Sequence, residues 1–165
     1  MRKLYRVKGF TLIEIIVVIA IIGILAAILI PSMLAYVRNS KISQYNSNAR
    51  TVYEGSQLAI TDVIKVGNTL EPNTVYICQA EGIGICEDAS GNTCDITDYL
   101  GEKFGGYFGF MSNVDGTGSV YAVWSEHEIT FNDFPQQWLT QDQIKATFSS
   151  SSTYPMGCHP QAIDP

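Results

Sequence analysis

One carboxylate, Glu14, stands inside an apolar run over residues 12–30 that is otherwise broken only by Gly23. An ionised side chain in such a run is costly in a membrane, so it marks a functional site by default. With its flanks the run reaches the roughly 20 residues that a membrane-spanning helix needs. Four basic residues precede it, namely Arg2, Lys3, Arg6 and Lys8. This excess of positive charge predicts an N-terminus on the cytoplasmic side.

Four cysteines, Cys78, Cys86, Cys94 and Cys158, follow the apolar run. An even number in an exported domain predicts two disulfides, with three connectivities open. Cys78/Cys86 and Cys86/Cys94 each have seven residues between them, so either short loop is geometrically feasible. We favour Cys78–Cys86 together with Cys94–Cys158. A zinc site that combines the cysteines with His159 competes with this hypothesis, but the C-x2-C spacing typical of structural zinc does not occur.

A possible calcium loop begins at Asn113, followed by Asp115 and Thr117 at the spacing of the first calcium ligands. Trp124 stands at the twelfth position, where such a loop needs a bidentate Glu. Asp115 is followed by Gly116, and this dipeptide between apolar runs is a strong hairpin signal. We therefore expect a hairpin turn and no metal ion here.

His127 lies between Glu126 and Glu128, and in a strand it would face away from both carboxylates. The sequence contains no G-x-S-x-G, P-loop or H-E-x-x-H motif. We therefore expect no catalysis and no cofactor. The net charge of -6 predicts no nucleic-acid partner, because phosphate contacts need a surplus of Lys and Arg. The length of 165 residues allows one ordinary domain.

The segment Lys8-Gly9-Phe10-Thr11-Leu12-Ile13-Glu14, between a basic leader and a long apolar helix, resembles the class III signal of type IV prepilins. Pro31 adds to the resemblance, since it falls 22 residues into the chain after Gly9 (31 minus 9), where the family usually has Pro. The close resemblance covers about the first 30 residues, and the general architecture extends it to the whole chain.

The resemblance implies that a prepilin peptidase removes residues 1–9, cutting between Gly9 and Phe10, and methylates the new amine of Phe10. It implies that Glu14 pairs with the N-terminal amine of a neighbouring subunit during assembly. An α-amine is cationic below about pH 8, and such pairing relieves the cost of a carboxylate inside an apolar helix bundle. The resemblance also implies that the helix between Gly23 and Pro31 can lose helicity in the filament, with a simple proline kink as the alternative.

One long helix over residues 10–65 must position these groups. Residues 10–31 form its membrane-spanning, filament-core half, and residues 32–65 form an amphipathic outer half. The outer half carries an apolar stripe at helical spacing, namely Ile42, Tyr45, Ala49, Val52, Ser56, Ala59 and Val63. Gly67-Asn68 predicts the helix stop. A coiled coil is the alternative, but consistent e and g charges are missing.

Residues 66–165 are expected to form a globular head. Strand-like runs cover residues 74–78, 83–86, 106–111 and 119–124, with a further strand at 128–131 and a helical turn at 141–145. Residues 149–153 predict a loop. The predicted fold class is α+β: a long N-terminal helix packed on a small antiparallel sheet, which the pilin resemblance also implies.

The leading functional hypothesis is a structural pilin that polymerises into a type IV pilus for adhesion, surface motility or aggregation. Its partners would be further copies of itself, other pilins, the prepilin peptidase and the pilus assembly platform. The precursor would sit in the cytoplasmic membrane, and the assembled subunit in an extracellular pilus on a bacterial surface. Removal of residues 1–9 would leave six basic against 16 acidic residues, a mature charge of -10.

Two other hypotheses remain open. A pseudopilin of a type II secretion or competence system would share every N-terminal feature. A membrane-tethered binding or metal-binding domain that never polymerises would keep its leader, and its Glu14 would have no role in assembly.

Overall fold

The computed structural model describes residues 9–78, 84–101, 104–149 and 155–160. Its contacts separate two compact units, Met1–Asn39 and Ser40–Pro165. Residues 1–8 of the predicted leader lie outside the described residues, as do residues 150–153 of the predicted loop and Ile83 of the second predicted strand.

Helix α1 comprises Leu12–Lys65, a continuous stretch of 54 residues that includes Pro31. It begins two residues later than predicted and ends at the predicted position. Gly67, with φ of 84°, donates its amide to the Ile64 carbonyl at 2.9 Å, and Asn68 donates to Val63 at 3.2 Å. This pair of bonds is a Schellman cap, in which glycine supplies the left-handed conformation that ends the helix.

The first unit contains the N-terminal part of α1. Its side chains are exposed apart from the half-buried Ala26. An 18-residue window of α1 has a mean hydropathy of 3.2 with none of it buried. Among the described residues, α1 is the one helix that is long and apolar enough to cross a membrane.

The second unit contains an antiparallel sheet, and its described residues form six strands and two short helices. The strands are β1 Val75–Cys78, β2 Ile85–Glu87, β3 Thr93–Asp95, β4 Tyr107–Ser112, β5 Ser119–Ser125 and β6 Gly157–His159; the helices are α2 Thr97–Leu100 and α3 Gln141–Thr147. The strand order is β3-β2-β1-β4-β5-β6, and each adjacent pair is antiparallel. The predicted α+β class, a long helix with a small antiparallel sheet, is therefore confirmed.

The outer part of α1 buries its apolar stripe against the sheet. Six of the seven predicted stripe residues are buried, and Val63 is half-buried. Tyr45 packs edge-on against Trp124 of β5, with ring centroids 4.7 Å apart. Gly55 also lies in this face, where an added Cβ would come within 3.3 Å of the Leu100 side chain. Gly55, costly as it is in a helix interior, thus leaves room for α2.

The predicted strand at residues 128–131 is wrong, because a side-chain-capped turn occupies its end. Asp133 accepts from the amide of Thr130 at 3.1 Å and from its hydroxyl at 2.6 Å. The amide of Phe134 donates back to the Thr130 carbonyl at 3.1 Å. Local side-chain bonds of this type compete with strand pairing.

The predicted helical turn at residues 141–145 is confirmed as part of α3. Thr140 and Gln143 form a capping box: the Gln143 amide donates to the Thr140 hydroxyl, and the Thr140 amide donates to the Gln143 side chain. The strands β3 and β6 and the helix α2 were not predicted.

Candidate functional site

Glu14 is the third residue of α1 and closes a capping box with Thr11. Its carboxylate accepts from the Thr11 amide at 2.8 Å and from the Thr11 hydroxyl at 2.6 Å. The Glu14 amide in turn approaches the Thr11 hydroxyl at 3.4 Å. Such reciprocal bonds satisfy amides that a helix start leaves without partners. Glu14 therefore has a local structural role in addition to its charge.

The sequence interpretation missed this role, and Thr11 with it. The signal was present, because T-x-x-E before an apolar run is the pattern of a capping box.

The apolar surface next to this cap is exposed in the part of the chain that the structure describes. Phe10 is 86% exposed, Leu12 78% and Ile13 69%. Soluble proteins rarely expose a continuous apolar surface of this extent, and such patches mark membrane or protein contacts. The N-terminal half of α1 thus presents an apolar surface of the kind that contacts lipid or other apolar helices.

Gly23 and Pro31 both lie within α1. An added Cβ at Gly23 would meet nothing within 4 Å, so no close approach among the described residues requires glycine there. Pro31 has no amide to donate to the carbonyl one turn earlier. The Ser32 hydroxyl next to it donates to the Leu29 carbonyl at 2.9 Å.

The cysteines divide into a bonded pair and two free thiols. Cys78 of β1 and Cys86 of β2 are directly opposite in the register and form a disulfide. Cys94 and Cys158 are free and buried. The expected Cys78–Cys86 bond is present, and the expected Cys94–Cys158 bond is not.

The topology explains why Cys94–Cys158 was wrong. Cys94 lies on β3 and Cys158 on β6, at opposite ends of the strand order. Five steps between neighbouring strands, at about 4.8 Å each, separate the two strands by roughly 24 Å. A disulfide needs Cα atoms within about 7 Å. Burial raises the pKa of each of these thiols to about 11, so both are protonated at neutral pH.

The competing metal hypotheses gain no support from the described residues. No group of three His, Cys, Asp or Glu among them could hold a metal ion. Cys158 and His159 are adjacent on β6 and therefore point to opposite faces. The His159 ring instead contacts Tyr53 of α1, with centroids 5.3 Å apart.

The predicted hairpin turn is present between β4 and β5. The Asn113 side-chain oxygen accepts from the amides of Asp115 at 3.3 Å and Thr117 at 2.9 Å. The Asn113 side-chain oxygen, which would be the first ligand of a calcium loop, therefore stabilises the turn. His127 follows the end of β5 and donates its amide to the Ser125 hydroxyl at 3.1 Å, so the strand alternation assumed for it does not apply.

Polar contacts between α1 and the sheet form a group that the sequence interpretation also missed. The Ser56 and Ser119 hydroxyls share a buried hydrogen bond of 2.8 Å. Gln57 donates to the Ser119 carbonyl at 2.9 Å. These bonds fix the register of the helix on the sheet, and serine in an apolar stripe is the signal that could have revealed them.

A second contact joins α1 to β6. The Cys158 amide donates to the side-chain oxygen of Asn46 at 3.2 Å. A Cβ added at Gly157 would lie 2.2 Å from the carbonyl carbon of Tyr45, so only glycine fits at this crossing.

A family model for the prokaryotic N-terminal methylation motif matches residues 4–30. The type IV major fimbrial protein FimA of Dichelobacter nodosus is 29% identical over 157 residues, which is 92% of this chain and 94% of the relative. The type IV major pilin PilA of Myxococcus xanthus is 50% identical over 48 residues, 29% of this chain and 22% of the relative.

The type IV major pilin PilE1 of Neisseria gonorrhoeae is 41% identical over 68 residues, 41% of this chain and 39% of the relative. The similarity to PilA and PilE1 thus covers less than half of either relative's length. No solved structure matches the chain.

Proposed function

We propose that this chain, which belongs to the type IV pilin family, is a structural subunit that polymerises through its N-terminal helix into a type IV pilus. The observation that carries the proposal is the exposed apolar half of α1 with a single carboxylate at its start. The full-length similarity to a major fimbrial protein supports the same assignment. A pilin of this family is a structural protein, and no catalytic step is part of the proposal.

Assembly follows from the two environments in which the helix must be stable, the lipid bilayer and the aqueous exterior. In the precursor the apolar half of α1 spans the cytoplasmic membrane with the basic N-terminus inside. Outside the membrane this surface has to be buried again, and neighbouring helices of the same kind provide that burial at roughly 25 cal/mol for each Å². Polymerisation into a helical bundle is therefore the route by which the subunit leaves the bilayer.

The residues at the helix start have proposed roles in this sequence of events. A prepilin peptidase cleaves between Gly9 and Phe10 and methylates the Phe10 amine. The amine then pairs with Glu14 of a neighbouring copy. The sequence supports this pairing, because the next basic residue along the chain is Arg38, about 36 Å away at 1.5 Å per residue.

The domain roles are proposed along the same lines. Residues 10–31 form the filament core, residues 32–65 carry the head, and residues 66–165 form the outer surface used in adhesion, motility or aggregation. The segment between Gly23 and Pro31 is the place where the helix can lengthen under load, since glycine and proline both weaken helix there. The pilus assembly platform is the proposed machinery that inserts each subunit.

Mass spectrometry of the mature N-terminus, followed by electron microscopy of sheared filaments, tests the proposal. An N-methylated Phe10 in long surface filaments is the expected result. An intact Met1 and no filaments would instead show a tethered domain that does not polymerise. A processed N-terminus in short structures confined to the envelope would indicate a pseudopilin.

A further inference from the structure

Three cysteines lie in one row across three adjacent strands. Cys86 of β2 stands directly opposite Cys78 of β1 on one side and directly opposite Cys94 of β3 on the other. Directly opposite residues of antiparallel strands point to the same face of the sheet. All three are at most 1% exposed. The thiol of Cys94 is therefore a buried neighbour of an existing disulfide.

We propose that the disulfide of this row has two positions, Cys78–Cys86 and Cys86–Cys94, exchanged by attack of the Cys94 thiol on Cys86. The Cys94 sulfur, after losing its proton, forms a bond to the Cys86 sulfur. The bond between Cys86 and Cys78 breaks, and Cys78 leaves as a thiolate that takes up a proton. One disulfide is replaced by another, so the exchange needs no oxidant or reductant.

Loop closure does not discriminate between the two positions. Each pair has seven residues between its cysteines, and the entropy of closing a loop depends on its length. The opposite Cβ atoms of neighbouring strands are about 4.5–5.5 Å apart, close to the 3.5–4.5 Å of a disulfide. The register therefore makes Cys86 available to both partners.

The turn between β2 and β3 keeps Cys94 in place in either state. One carboxylate oxygen of Asp88 accepts from the amides of Ser90 and Asn92, each at 2.8 Å, and the other accepts from the Asn92 side chain at 2.8 Å. The Asp88 amide also donates to the Asn92 carbonyl at 3.0 Å. Because these bonds shape the turn without a disulfide, moving the disulfide leaves the hairpin intact.

The exchange is slow in the folded protein. Burial raises the pKa of Cys94 to about 11, with a smaller contribution from the neighbouring Asp95 carboxylate. Only the thiolate attacks a disulfide, so about one Cys94 side chain in ten thousand is reactive at pH 7. A population trapped in the first-formed pairing can therefore persist for long times.

Disulfide mapping of the full-length chain in detergent tests the proposal. The protein is incubated at pH 8.5, quenched in acid, unfolded, alkylated and digested. We expect a Cys86–Cys94 peptide to accumulate and alkylated Cys78 to appear in equal amount. A wild-type chain that retains only Cys78–Cys86 at the end of a long incubation, including one in mild denaturant, overturns the proposal.

Variants then identify the attacking group. Cys78→Ser should yield the Cys86–Cys94 disulfide directly, and Cys94→Ser should abolish exchange. Cys158→Ser is the matched control, because it removes the other buried free thiol, at the opposite side of the sheet, and should leave the exchange rate unchanged. A folded Cys78→Ser chain with all three remaining thiols free would contradict the proposal, as would loss of exchange in Cys158→Ser.

Discussion

The capping box at the start of α1 allows the local role of Glu14 to be separated by substitution from its proposed role in assembly. Glu14→Gln keeps an acceptor oxygen for the Thr11 amide and hydroxyl, at present 2.8 Å and 2.6 Å away, and glutamine is a normal capping-box residue. It removes only the charge. Thr11→Ala removes the hydroxyl and keeps the charge, while Glu14→Ala removes both.

Loss of the helix cap and loss of the charge differ in the free energy that each is expected to cost. Replacing a Thr N-cap by Ala costs about 1 kcal/mol of helix stability, which frays the first turn of a helix that continues for 54 residues. Removing one partner of a buried ion pair lowers an association equilibrium by roughly two orders of magnitude or more. We therefore expect Glu14→Gln and Glu14→Ala to reduce filament yield at least about 100-fold, and Thr11→Ala less than about tenfold.

The assay compares pilin in the sheared filament fraction with pilin in the membrane fraction, by immunoblot of the same culture. Membrane levels should stay near those of the wild type for all three variants, because the apolar run is unchanged. Mass spectrometry of the membrane form checks whether the proposed cleavage after Gly9 is the same in the variants as in the wild type, so that a processing defect is not mistaken for an assembly defect.

Normal filaments from Glu14→Gln would refute the charge-pairing argument. If Thr11→Ala lost filaments as completely as Glu14→Gln, helix capping would be the function of this carboxylate. The informative comparison is between these two variants, since Glu14→Ala cannot distinguish the roles.

Three further predictions concern the second unit, measured by urea unfolding of the full-length chain in detergent with tryptophan fluorescence. Gly157→Ala should lower the free energy of unfolding by about 1–3 kcal/mol or more, because its Cβ would lie 2.2 Å from the helix backbone. Gly105→Ala is the control, since its Cβ would meet nothing within 4 Å, and it should change the free energy of unfolding little. Ser56→Ala should cost about 1–3 kcal/mol by leaving the Ser119 hydroxyl without its 2.8 Å partner; an additive Ser56→Ala, Ser119→Ala double variant would show that the bond contributes nothing. Burial, together with the charge of Arg50, lowers the pKa of His159 below its usual value. The unfolded chain therefore binds more protons than the folded chain, and the free energy of unfolding falls as the pH drops from about 7 to 5. His159→Gln should flatten this dependence on pH, and an unchanged dependence would exclude His159 as its source.

The helix was predictable because its signals repeat over many residues. The stripe from Ile42 to Ala59 has one period, and a single Schellman cap ends the helix at Lys65. The longer strands, β4 and β5, were predictable from aromatic and β-branched runs joined by an Asp-Gly turn. Each of these elements can therefore be predicted from its own stretch of sequence.

The elements that were missed contain little local information. The strands β3 and β6 have three residues each, with a single cysteine between polar residues or glycine, so neither shows an apolar run. Their positions depend on tertiary contacts: Cys94 pairs with Cys86 in the register, and β6 crosses the helix where Gly157 leaves room. The cysteine connectivity depended on the same topology, since equal spacings on both sides of Cys86 made the two short loops equivalent.

The polar residues of α1 divide according to where their partners are. Ser56 is fully buried and finds its partner, Ser119, within the same unit. Glu14 finds local donors in Thr11, yet hydrogen bonds from a neutral cap do not neutralise its charge. No basic residue follows it before Arg38, so the proposed pairing takes its cation from the Phe10 α-amine of a neighbouring copy. Ser56 thus has its polar partner within the folded chain, whereas Glu14 would gain a cationic partner only through the proposed cleavage and assembly.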